Sequence, residues 1–84
     1  MQIQLQKTAV KALSRINEPN NGRIKKSLVK LSKEPPEGDI KKLANRDDYR
    51  LRVGDYRILF RLKESVILIT DILIRGQAYK GGNQ

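Results

Sequence analysis

Polar and apolar residues alternate at the start of the chain: Ile3 and Leu5 sit between Gln2, Gln4 and Gln6. This period of two predicts a half-buried strand. Thr8 follows as a candidate helix cap, its hydroxyl able to accept from the first free backbone amides. The spacing then changes: Ala9, Leu13 and Ile16 recur at i, i+4 and i+7, with Ala12 alongside, which predicts an amphipathic helix. Pro19-Asn20-Asn21-Gly22 reads as a breaker. Ile24, Leu28 and Leu31 repeat the helical spacing, so a second helix is expected to run to about Lys33, before Pro35-Pro36 and Gly38. Together these form a helical hairpin over about 8–33.

The rest of the chain supplies a sheet for that hairpin to cover, expected over about 40–75. Ile40 and Leu43 open an extended segment. Tyr49 to Val53 alternates, and Tyr56 to Leu62 alternates again. Gly54-Asp55 between them is a two-residue loop whose leading glycine suits a type II′ turn. Val66 to Ile74 is apolar on both faces, as expected of a central strand. Either Lys63-Glu64 or Glu64-Ser65 can form the loop before it, so the register of this last strand stays open, and with it the surroundings of Asp71. The tail, residues 80–84, is expected to fray. The fold class predicted is α+β: an N-terminal strand and a two-helix hairpin packed on a small antiparallel sheet, in one domain over 1–84.

Composition narrows the chemistry. The 84 residues include 18 Lys or Arg, 9 Asp or Glu, and neither His nor Cys, for a net charge of +9. Without cysteine there is no disulfide or thiol nucleophile. Without histidine, imidazole general-base chemistry and most zinc or copper sites are excluded. No metal and no cofactor is expected. The excess positive charge steers anions, and the usual partners of such a field are nucleic acid, an anionic membrane or an acidic protein. The longest wholly apolar run, Val66 to Ile69, is far short of the roughly 20 residues of a membrane helix. Met1 to Lys11 holds no signal-peptide apolar region. A cytoplasmic protein with no membrane partner is expected.

Counting outwards from Gly54-Asp55 fixes the hairpin. Val53 should face Tyr56, Arg52 face Arg57, Leu51 face Ile58, Arg50 face Leu59, and Tyr49 face Phe60. One face then reads as core, with Tyr49, Tyr56 and Phe60 in it. The other presents Arg50, Arg52, Arg57 and Arg61, broken only by Leu59. A slip of one residue would bury the arginines. Arg52 opposite Arg57 costs some tenths of a kcal/mol in like-charge repulsion. Two readings follow: a solvated basic face relieved by Asp48, Asp55 or Glu64, or a cradle in which guanidinium forks grip phosphate oxygens. Lys25, Lys26, Lys30 and Lys33 add a second basic surface on the outer face of the second helix.

Tyr-Arg-Leu-Arg-Val-Gly-Asp-Tyr-Arg-Ile-Leu-Phe (Tyr49 to Phe60), the preceding Ile40-Lys41-Lys42-Leu43 and the closing Arg75-Gly-Gln-Ala-Tyr79 resemble the RelE/ParE toxin superfamily. The order of strand, helical hairpin and sheet is also that family's, and the resemblance covers about residues 1–80. It implies the toxin of a toxin–antitoxin pair, neutralised by a cognate acidic antitoxin that wraps its surface. RelE-type members are mRNA interferases: they enter the ribosomal A site and cut mRNA by attack of a 2′-hydroxyl on the adjacent phosphate. ParE-type members share the fold and poison DNA gyrase.

By resemblance, Arg50 and Arg52 occupy the two basic strand positions of RelE-type toxins, and Arg57 the basic residue that stabilises the transition-state phosphate. Arg75 matches a C-terminal arginine, and Tyr79 a C-terminal tyrosine that stacks on a base or assists proton transfer. Arg61 and the four lysines of the second helix would bind RNA. Arginine does not give up its proton, which leaves Tyr79, Asp55 and Asp71 as candidates for proton transfer. The expected function is a ribosome-dependent endoribonuclease with ribosomal RNA and mRNA as partners. The alternative is a gyrase inhibitor without nuclease activity.

Overall fold

The computed structural model describes residues 1–44 and 48–75. The order of elements is β1 (Gln2–Leu5), α1 (Lys7–Ser14), α2 (Asn20–Leu31), β2 (Asp39–Lys42), β3 (Asp48–Val53), β4 (Tyr56–Lys63) and β5 (Val66–Ile74). The strands form one sheet in the order β1-β5-β4-β3-β2. β2 to β5 run antiparallel, as their short connections require. β1 joins the far edge parallel to β5, with Ile3 beside Ile67 and Leu5 beside Ile69. The α+β arrangement is as predicted, and this parallel edge makes the sheet mixed.

Both helices cover one face, α1 over β5 and α2 over β3. The buried cluster is Ala9 of α1, Ile24, Leu28 and Leu31 of α2, and Leu51, Ile58, Phe60, Ile67, Ile69 and Ile72 of the strands. Each helix contributes the stripe that its spacing predicts. Tyr49 and Phe60 stack across β3 and β4 with ring centroids 5.3 Å apart. They pack with the core, so the aromatic pair serves cohesion rather than base stacking.

The helix ends differ from expectation. α1 begins at Lys7 after Gln6, so Thr8 lies within the helix and is not its cap. The segment Asn20-Asn21-Gly22 does not break the chain but opens α2. Side-chain bonds explain this: Glu18 Oε1 accepts from the Gly22 amide at 2.9 Å. Asn21 Nδ2 donates to the carbonyls of Leu13 at 3.0 Å and Ile16 at 3.1 Å, tying the end of α1 to the start of α2. α2 ends at Leu31, and Lys33 lies beyond it, 3.8 Å from Glu37.

The β3–β4 register is the predicted one in every pair from Tyr49–Phe60 to Val53–Tyr56. Gly54 has φ +59° and Asp55 is not in the positive-φ region, as a type II′ turn requires. The β4–β5 loop is Glu64-Ser65, since Lys63 pairs with Val66. Glu64 there adopts φ +56°, which costs a residue with a Cβ roughly 1–2 kcal/mol. Glu64→Gly is therefore expected to raise unfolding stability by up to about 1 kcal/mol. Urea denaturation checks this, with an upward shift of the midpoint at unchanged slope.

Candidate phosphate-binding face

The sheet face opposite the helices carries the arginines. Pairing places Arg57, Leu59, Arg61 and Lys63 of β4 on it, with Asp48, Arg50 and Arg52 of β3 and Asp39 and Lys41 of β2. No described helix packs against this face. Arg52 lies directly opposite Arg57, Arg50 opposite Leu59, and Arg61 opposite Asp48.

The four hairpin arginines fall into two kinds. Arg50 Nη1 donates to the Asp39 carbonyl at 3.0 Å and to its carboxylate at 3.2 Å, and the Arg50 side chain is only 16% exposed. Arg61 Nε donates to Asp48 Oδ1 at 2.7 Å. These two are held by carboxylates of neighbouring strands. Arg52 is exposed and has no ion pair among the described residues. Arg57 is half-buried beside it. The expected relief by Asp48 is found at Arg61, while Asp39 supplies a relief that sequence reading missed. Asp39 was hidden because its role depends on β2 pairing with β3, which no local pattern specifies.

β5 adds a bulge. Leu59 pairs with Asp71 but Phe60 with Ile69, so Thr70 is the extra residue. Its hydroxyl donates to the Leu59 carbonyl at 3.2 Å. The shift places Asp71 and Leu73 on the arginine face, beside Leu59 and Arg57. This resolves the open question of Asp71. Its carboxylate accepts from the Ile72 amide at 2.8 Å and forms no ion pair among the described residues.

Arg75 follows the end of β5, where its amide donates to the Asp55 carbonyl at 2.7 Å. Its backbone thus lies at the turn end of the hairpin, the same end as Arg52 and Arg57. Asp55 serves the turn through this carbonyl. Tyr79 lies outside the described residues. Lys25, Lys26 and Lys30 are exposed on α2, with Lys33 just beyond it. Because α2 covers the other face of the sheet, the structure does not bring these lysines together with the arginines. Among the described residues, no three His, Cys, Asp or Glu side chains converge as metal ligands, and no helix is long and apolar enough to cross a membrane.

Guanidinium groups fixed on a sheet face that no described helix covers can hold a phosphodiester through paired hydrogen bonds. They can also stabilise charge that develops on its oxygens without moving.

Comparison with known proteins places this geometry. The family model for the ParE toxin of the parDE type II toxin–antitoxin system matches residues 3–79. No curated protein matches significantly. Among solved structures, the archaeal RelE–RelB complex from Pyrococcus horikoshii is 32% identical and superposes with a TM-score of 0.75, covering 92% of this chain and 97% of that one. The RelB–RelE antitoxin–toxin complex from Methanococcus jannaschii is 28% identical, with a TM-score of 0.72 and coverage of 83% and 87%. The isolated Escherichia coli RelE toxin, at 16% identity, shares the fold with a TM-score of 0.77 over 92% of this chain and 86% of that one. The chain belongs to the RelE/ParE superfamily and is the toxin of a type II toxin–antitoxin system.

Proposed function

We propose that this toxin is a ribosome-dependent endoribonuclease that cuts mRNA in the A site. The observation that carries the reading is the apposition of Arg52 and Arg57 on a sheet face against which no described helix packs. Stability alone disfavours that pair, and an anionic ligand between the two guanidiniums removes the repulsion. In the proposed reaction a 2′-hydroxyl oxygen attacks the adjacent phosphorus. The bond to the 5′-oxygen breaks, leaving a 2′,3′-cyclic phosphate and a 5′-hydroxyl. Arg57 stabilises the equatorial oxygens, Arg52 and Arg75 hold the backbone from the turn end, and Arg50 orients it from a fixed position. Tyr79 and Asp71 are the candidates for moving the proton.

Arg61 extends the contact along the strand. Lys25, Lys26, Lys30 and Lys33, on the opposite side of the molecule, grip ribosomal RNA while the arginine face meets mRNA. The ribosome orients the substrate, so a site without imidazole suffices there. The similarity to RelE complexes at 28% and 32% identity supports this reading. The acidic antitoxin is the partner that neutralises the positive surface, within the cytoplasm.

A second reading is inhibition of DNA gyrase without nuclease activity. The family model that matches is that of ParE, and the carboxylates nearest the arginines, Asp39 and Asp48, are engaged in ion pairs. Primer extension on mRNA in programmed ribosomes separates the two. Cuts within the A-site codon are expected. Intact mRNA, with loss of gyrase supercoiling in a parallel assay, would overturn the nuclease in favour of the second reading.

A further inference from the structure

Leu59 interrupts the row of hairpin arginines, on a sheet face against which no described helix packs. A leucine there has no core to join, yet it is half-buried. It lines a hollow of about 200 Å³ together with Leu43, Thr70, Asp48 and Arg61. The Leu43 amide donates to the Asp48 carbonyl at 2.8 Å, which continues the pairing of β2 with β3 by one residue and sets Leu43 on the arginine face. Thr70 is the extra residue of the β5 bulge, and its hydroxyl donates to the Leu59 carbonyl.

The hollow lies along the path proposed for RNA. Arg57, Leu59 and Arg61 follow one another on one face of β4, with Arg50 opposite Leu59. Four residues of strand separate Arg61 from Arg57 by about 13 Å. An RNA strand with its scissile phosphate at Arg52 and Arg57 that continues toward Arg61 therefore carries a neighbouring base over the hollow. The volume is below the roughly 300–1,000 Å³ of sites for drug-sized ligands, and suits one flat ring system. Leu43 and Leu59 offer apolar surface to the faces of such a ring. Arg61 Nε donates to Asp48 Oδ1 at 2.7 Å. A carboxylate has about four acceptor sites and a guanidinium five donors, so this bond leaves both groups able to meet the edge of a base.

We infer that the hollow is a base-selecting subsite, which receives one nucleobase of the mRNA close to the cut and discriminates against uracil through Asp48. The inference rests on the proposed cleavage of mRNA. An ionised carboxylate only accepts hydrogen bonds. Adenine, cytosine and guanine each carry an exocyclic amino group that can donate to it. Uracil carries none, and its single N–H lies between two carbonyl oxygens that meet the carboxylate with like charge. A good polar pairing to a base edge discriminates by about tenfold or more. The arginines on phosphate position the strand without reading it, whereas Asp48 and the apolar lining give the face a means of choosing among sequences.

The test uses the full toxin on ribosomes programmed with mRNA randomised around the A site, and sequences the cut ends. In the wild type, one position at a fixed offset from the cut is expected to show uracil about tenfold less often than the amino-bearing bases. Asp48→Asn keeps the shape but adds a donor, so uracil should recover at that position while the preferences elsewhere stay as they were. Leu59→Phe fills the hollow and should remove the bias there. If Leu59→Phe does not fold, the nearly isosteric Asp48→Asn decides alone. A wild type that cuts without such a position overturns the subsite. So does an unchanged profile in Asp48→Asn, even at a lower overall rate, because that is the result of a merely structural ion pair. Wild-type toxin that leaves all mRNA intact overturns the nuclease reading itself, and is distinct from cutting without selection.

Discussion

Arg57→Ala is expected to abolish growth arrest and to lower mRNA cleavage in programmed ribosomes about 10²–10³-fold, while the protein stays folded. The size follows from the role proposed for Arg57. Removing one fixed donor from a site where negative charge develops costs roughly 2.7–4 kcal/mol in the barrier. Its position favours it over Arg52, since it is half-buried and so better shielded from water, while Arg50, also half-buried, is held by Asp39. Arg57→Lys separates charge from geometry. Lysine keeps the positive charge but lacks the planar fork, so an intermediate rate is expected. Circular dichroism and the urea midpoint guard against a trivial loss of fold. Full cleavage by Arg57→Ala would remove the arginine from the chemistry.

The sequence reveals this residue because period-two patterning and a Gly-Asp loop specify a hairpin together. Once Gly54-Asp55 is the turn, burying Leu51, Ile58 and Phe60 leaves no freedom for Arg50, Arg52, Arg57 and Arg61, which must share the other face. β5 lacks that constraint. Val66 to Ile74 is apolar on both sides, so alternation carries no information about face, and the insertion at Thr70 is invisible until β4 lies beside it. The parallel pairing of β1 is equally hidden, because it joins segments over 60 residues apart and has no local sequence signature. The same holds for Asp39. Its role at Arg50 exists only through the pairing of β2 with β3.

These long-range pairings change what the basic face means. A row of arginines in the sequence suggests equivalent groups. Carboxylates on the neighbouring strands convert Arg50 and Arg61 into supported positions, while Arg52 has no ion pair among the described residues. Partly exposed ion pairs of this kind contribute roughly 0–1 kcal/mol to stability. Their larger effect is to restrict where the guanidiniums point.

Arg52→Thr is the complementary experiment, because it should separate stability from function in opposite directions. Arg52 faces Arg57 on one side and Asp39 on the other. Glutamate at this position would gain attraction to Arg57 but meet the Asp39 carboxylate, so its two contributions oppose each other. Threonine avoids both, suits a strand through its β-branch, and removes a like-charge pair worth some tenths of a kcal/mol. The variant is expected to match or slightly exceed the wild type in thermal stability. Hydrogen bonds to charged groups are worth roughly 1.5–3 kcal/mol each, so cleavage should fall about ten- to hundredfold. Arg52 and Arg57 would grip the same phosphodiester, so their substitutions should not combine additively. Arg52→Thr in the Arg57→Ala background should cost less than it does alone. A protein that gains stability and keeps full cleavage would identify Arg52 as a solvated surface residue. A stabilised protein without cleavage would show that the Arg52–Arg57 apposition is maintained for its ligand, at the expense of the fold.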